Sequence, residues 1–216
     1  MNLTKKISWA LFAFFAILIG IMPFITLING IKFGIEETKD ATLYLNFFWK
    51  NSFYAHVIVG GLPLLIGWTQ FIPKLRAKYR NVHRLIGKIY VVTFLMTAAS
   101  GFFISFNATG GLIPALGFGS VAIIAFYTTL KAYLDIRKGD VISHKNMMIY
   151  SYACCFAAVT FRLWQTLLFL LLNDFEIIYP IAAWMGWLPN LFVAYWIIRK
   201  KNANSTTLST ALPNRS

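Results

Sequence analysis

The chain has 216 residues, of which 58% are hydrophobic, 17% aromatic and only 12% charged. Ordinary soluble domains are roughly half apolar and about a quarter charged, so nearly the whole chain reads as one membrane bundle with no soluble domain. The net charge of +13 raises nucleic acid as a partner, since clustered Lys and Arg neutralise phosphates, but the distribution of the charges excludes it.

A hydrocarbon core about 30 Å thick needs about 20 apolar residues in a helix. The first such run, Trp9–Asn29, follows Lys5 and Lys6. It is too long for a signal-peptide core and no small-x-small site follows, so it reads as a retained span. Five more runs follow, at Phe53–Ile72, Ile86–Phe106, Leu112–Leu134, Asn146–Leu172 and Ile177–Ile198. The predicted fold is an all-α integral membrane protein, a six-transmembrane-helix bundle over residues 1–201. Spans two to five, about 53–172, form its core, and spans one and six flank it. The Ser/Thr/Asn-rich tail 202–216 is predicted to be disordered and cytoplasmic.

The loops set an orientation. With the N-terminus inside, the internal segments carry 16 basic residues, dense at Lys74–Lys88, Lys131–Lys145 and Arg199–Lys201, and ending at Arg215. The external loops carry three, Lys32, Lys39 and Lys50, and also hold Glu36, Glu37, Asp40, Asp174 and Glu176. The positive-inside rule predicts that asymmetry and places both termini in the cytoplasm. The basic excess is then accounted for by orientation and anionic lipid, without nucleic acid. Two of the internal loops end alike, at His83-Arg84 and His144-Lys145, each followed within seven residues by Ile-Tyr. Two readings are open: a duplicated hairpin or two ordinary basic loops.

Few residues can carry chemistry. Cys154 and Cys155 are adjacent, cannot bridge without strain, and read as small core residues. Arg162 lies inside a span, where an Arg costs about 2.5–3.5 kcal/mol at the helix centre. On an unbroken helix it shares a face with His144, Met148, Ser151, Cys155 and Ala158, with Gln165 one turn beyond. That face suits a contact with an anion or headgroup, and Arg162 snorkelling or bonded to helix carbonyls is the plainer alternative. His83 heads a second stripe, Gly87, Tyr90, Phe94, Thr97, Gly101 and Ser105. His-x-x-x-Gly occurs at His56–Gly60 and His83–Gly87; a glycine there either leaves room for a flat macrocycle or lets helices pack closely.

Depth sorts the histidines. His83 and His144 both begin outward-running spans and share the internal layer, where they can hold one b-type haem. His56 falls in the external layer, with Arg162 and Gln165 as candidate ligand or anion contacts. No carboxylate is predicted within a span, which removes paired-acid hydrolysis and acidic proton relays. No metal-site, phosphate-loop, hydrolase or dinucleotide motif is present.

Taken in order, His56-x-x-x-Gly60, Gly67-x-x-Gln70, His83-Arg84-x-x-Gly87-x-x-Tyr90, His144 with Met147 or Met148, and Arg162 resemble a family of predicted membrane proteins, domain of unknown function 2306. The resemblance covers about Phe53 to Leu172 and implies a bacterial multi-pass membrane protein without an assigned activity. A looser likeness to four-helix b-type cytochromes stops at one haem, because three histidines cannot supply four axial ligands. The expected function is an inner-membrane protein binding a single b-type haem or a quinone in a redox role. The alternatives are a transporter or lipid-handling protein with a lipid ligand, and a non-catalytic membrane assembly factor.

Overall fold

Each apolar run winds into a helix, because in hydrocarbon only an internally bonded backbone has its polar groups satisfied. The computed structural model describes residues 3–30 and 39–211, with side chains described as far as residue 203. Lys32, Glu36, Glu37 and Arg215 lie outside the described residues. The helices are α1 (Leu3–Ile28), α2 (Ala41–Leu45), α3 (Phe47–Tyr54), α4 (Gly60–Gly67), α5 (Pro73–Lys78), α6 (Arg80–Ser105), α7 (Leu112–Arg137), α8 (Val141–Cys155), α9 (Ala157–Leu172), α10 (Phe175–Met185) and α11 (Leu188–Ala211). α11 runs past the expected span end into the segment predicted to be disordered. A π turn, Ala55–Val59, joins α3 to α4, and a 3-10 turn, Trp68–Phe71, follows α4. Six segments are long and apolar enough to cross a membrane: Leu3–Ile28, Phe47–Phe71, Arg80–Ser105, Leu112–Arg137, Val141–Leu172 and Phe175–Ala203. The protein is an all-helical, multi-pass membrane protein.

Spans two to five close on one another, with α4 on α6, α6 on α7, α7 on α8 and α8 back on α4. α1 lies against α4 and α9, while α10 and α11 cover α7, α9 and α8. Between α1 and α4 the contact is backbone to backbone. A Cβ on Gly61 would sit 2.6 Å from the Gly20 carbonyl oxygen, so only glycine permits this approach.

The buried faces follow the 3.6-residue period. On α6, Tyr90, Phe94, Thr97, Gly101 and Ser105 are buried, as the His83 stripe predicts. Cys154 and Cys155 are free thiols in the core, among Leu64, Tyr90, Tyr152 and Val159. A hydroxyl chain crosses that core: Tyr90 Oη lies 2.9 Å from Ser151 Oγ, which lies 2.7 Å from Thr129 Oγ1. Thr129 donates to the Ala125 carbonyl at 2.6 Å. Tyr152 donates to the Leu64 carbonyl at 3.1 Å. Every hydroxyl in this group is thereby partnered, as buried polar groups in hydrocarbon require.

Span five is broken at Phe156. Val159 N bonds the Phe156 carbonyl three residues back at 2.9 Å, a tightened turn between α8 and α9. Span six is broken at Gly186–Trp187. The Asn190 amide spans both breaks, reaching the Ala153 carbonyl at 3.2 Å, Thr160 Oγ1 at 2.9 Å and the Gly186 carbonyl at 3.3 Å.

Candidate functional site

The bundle brings its histidines to two ends. At the basic end, α5 carries Arg76, the first turns of α6 carry His83 and Arg84, and the first turns of α8 carry His144 and Lys145. His144 acts electrostatically on His83, along with Arg76 and Arg84.

His144 is held by a local clasp. Asp140 caps α8 by accepting from Ser143 N at 2.9 Å. Asp135 accepts from Ser143 Oγ at 2.5 Å and from Lys131 Nζ at 2.9 Å, tying the last turn of α7 to the first of α8. With the turn fixed, His144 Nδ1 lies 2.8 Å from the Ala132 carbonyl oxygen. A carbonyl only accepts, so Nδ1 carries the proton and Nε2 of the neutral ring presents a lone pair. Asp135 also corrects the expectation that no carboxylate lies within a span. The helix continues past Leu134 to Arg137, and Asp135 is 8% exposed inside its last turn.

His83 is held differently. The turn before α6 has no side-chain cap, with Tyr79 at its start. His83 Nδ1 is enclosed and has no hydrogen-bond partner among the described residues. Beside it, in the 3-10 turn, Gln70 is 6% exposed and its Oε1 is likewise enclosed without a partner. Gln70 belongs to the motif set named above, but only its burial marks it as part of a site.

At the other end the π turn aims His56 at α6. Its Nδ1 donates to the Thr97 carbonyl at 2.9 Å. The Nδ1–Cε1 edge of the ring abuts Gly101, where a Cβ would fall 2.7 Å from Nδ1 and 2.8 Å from Cε1. Gly60, one turn from His56, faces Thr97 across the helix contact, where a Cβ would fall 3.0 Å from Thr97 Cγ2. Arg162 is an electrostatic neighbour of His56. It lies beyond the break at Phe156, which interrupts the single helix on which its alignment with His144 is counted. Ser151 and Cys155 stay buried, while Arg162 is exposed on the flank of α9, its Nη1 donating to the Ala158 carbonyl at 2.7 Å. Gln165 is half-buried one turn on.

Two clefts are open on the surface. One is lined by the α5–α6 turn, Ala77 to Val82; the other, between α6 and α7, is lined by Phe102, Ser105, Leu116 and Gly119 among others. No cluster of three or more His, Cys, Asp or Glu that could hold a metal ion occurs among the described residues.

A family model described as Predicted membrane protein (DUF2306) matches residues 53–198, well over half of the chain. The match extends through the sixth span, beyond the segment on which the resemblance was first seen. No curated protein and no solved structure matches.

Proposed function

This chain belongs to the DUF2306 family of predicted membrane proteins, and from that premise we propose that it binds a lipid-soluble molecule of the quinone class in a membrane redox role. The site is the basic end, with His83 and His144 as the groups that touch the ligand. The setting is the bacterial inner membrane, with both termini cytoplasmic. The supporting observation is the His144 ring, whose Nδ1 proton is committed to the Ala132 carbonyl at 2.8 Å. Its Nε2 lone pair is left to accept a proton or a hydrogen bond beside a second imidazole. Imidazoles exchange protons near neutral pH, and quinone chemistry moves protons together with electrons.

Binding tests this directly. A short-tailed benzoquinol titrated anaerobically into the detergent-solubilised protein should quench tryptophan fluorescence. His83→Ala and His144→Ala should each weaken binding about tenfold, the effect of one lost buried hydrogen bond, and His56→Ala should not. Equal affinity in all four proteins would sink the assignment. The orientation has its own test. Cysteine labelling of intact cells should reach a thiol placed at Asp40 and spare one placed at Arg76; labelling at Arg76 would overturn it.

A second reading is a single b-type haem, and the same ring favours it. Metal-bound imidazoles generally donate their other N–H to a carbonyl or carboxylate, as His144 does to Ala132. His83 would be the second axial ligand. Purified protein would then show a Soret band and reduced α and β peaks, abolished by His83→Ala or His144→Ala and kept by His56→Ala. A colourless protein after expression with ample haem removes this reading. A transporter or lipid-handling role would instead use the opposite end, with His56, Arg162 and Gln165 as anion or headgroup contacts. Blank titrations and spectra at both ends leave an assembly factor.

A further inference from the structure

Gln70 decides which form of the ligand the basic end holds. Its Nε2 lies 3.4 Å from Thr69 Oγ1, and Thr69 Oγ1 itself donates to the Ile66 carbonyl at 2.6 Å. A hydroxyl has one proton, and this one is committed to Ile66. Thr69 can therefore only accept from Gln70, which puts the amide nitrogen on the Thr69 side and the carbonyl oxygen on the other. Gln70 Oε1 then faces α6 at Gly87, where a Cβ would lie 3.6 Å away, one turn beyond His83. It is enclosed and unpartnered, like His83 Nδ1.

Two atoms at this end are thus acceptors by construction, Gln70 Oε1 and His144 Nε2, and His83 Nδ1 is enclosed and unpartnered one turn before Gly87 on α6. A buried acceptor is satisfied only by a donated proton, and facing it with another acceptor leaves both unpaired. A benzoquinone presents carbonyl oxygens alone. Its two-electron, two-proton reduced form, the quinol, presents hydroxyl groups.

We infer that the Gln70–His83–His144 layer is a hydrogen-bond-acceptor site that holds a hydroxyl-bearing quinol in preference to the quinone. This rests on the quinone-class reading above and adds Gln70 as its specificity determinant. Gly87 keeps a side chain out of the space in front of Gln70.

The test uses the full chain in detergent under anaerobic conditions and three probes of one ring: a short-tailed benzoquinol, its quinone, and its dimethyl ether. The ether keeps the shape and the reduced ring but donates nothing, so redox state and donor capacity are separated. The quinol is expected to bind about tenfold or more tightly than either the quinone or the ether, the discrimination that one unpaired buried polar group supports. In Gln70→Leu the quinol should fall to within a fewfold of the ether, with ether binding retained as the sign of an intact site. Equal binding of all three probes to the wild-type protein overturns the acceptor site and leaves the quinone-class reading standing, as would a buried water already satisfying these atoms. Binding of none of them overturns that reading and this inference together.

Discussion

His56 and His144 each donate Nδ1–H to a main-chain carbonyl of the neighbouring helix, Thr97 at 2.9 Å and Ala132 at 2.8 Å, but their surroundings differ. The His56 ring is pressed against Gly101, and the guanidinium nearest to it is bonded to a carbonyl of its own helix. At the His144 end the chain leaves polar atoms unpaired: His83 Nδ1 and Gln70 Oε1 are enclosed with no hydrogen-bond partner among the described residues. Each unpaired buried group costs about 1–3 kcal/mol. A fold that carries two such groups is less stable than it could be, and a ligand that pairs with them recovers the difference. The same tautomer is therefore a packing device at one end and a lone-pair source at the other.

Glycine substitutions break this comparison with the largest effect. Gly101→Ala would put a methyl 2.7 Å from His56 Nδ1, forcing the ring off the Thr97 carbonyl. The lost buried hydrogen bond costs about 1–3 kcal/mol, only partly offset by a gain of about 1 kcal/mol in helix propensity. The detergent Tm should fall by several degrees. Gly87→Ala meets only Gln70 Oε1, at an ordinary 3.6 Å, so stability should hold or rise by up to about 1 kcal/mol while quinol binding weakens. If both variants lower Tm alike, the two ends are packed alike and the contrast fails.

The clasp at the α7–α8 turn gives an intermediate effect. Asp135→Asn keeps the shape but removes the ion pair with Lys131 and weakens the bond from Ser143. The pair is partly exposed, so a Tm loss of only a few degrees is expected. Quinol affinity should fall with it, because His144 follows Ser143 directly; unchanged affinity would show that the clasp does not position the ring.

Legibility in the sequence followed the length of the regular segments. Runs of about 20 apolar residues were enough to find six spans, each within a few residues of its helix. An unbroken 26-residue α6 let the His83 stripe name Tyr90, Phe94, Thr97, Gly101 and Ser105 as buried. Where regularity stops, the reading leaves alternatives open. The π turn at Ala55–Val59 sends His56 to Gly101 on another helix and Gly60 meets Thr97, the packing alternative for that His-x-x-x-Gly pair. The break at Phe156 interrupts the helix over which the His144–Arg162 alignment is counted. Gln70 sits in a 3-10 turn, so no helical period could pair it with His83. Asp135 falls one residue past the apolar run that ends at Leu134, while the helix itself continues to Arg137.

Arg162 gives the smallest expected effect and the sharpest test of the opposite end. Its guanidinium is exposed on α9 and its Nη1 donates to the Ala158 carbonyl, which is already the i−4 acceptor of the helix backbone. That bond stays within one helix and ties no second element to it, so Arg162→Leu should leave stability in detergent within about 0.5 kcal/mol of wild type, the range of ordinary surface changes. Insertion should improve, since an apolar side chain avoids the cost of a charge within a span. Arg162→Lys should also fold, because a lysine stem carries its charge to the interface equally well. The two variants differ from wild type in one respect only. A planar guanidinium can give paired donors to a phosphate, which an ammonium cannot. Adding phosphatidylglycerol to the detergent should therefore raise the wild-type Tm more than that of Arg162→Lys, and raise that of Arg162→Leu least. Equal lipid stabilisation in all three proteins would leave this end a packing device alone, and with it would go the lipid-handling alternative.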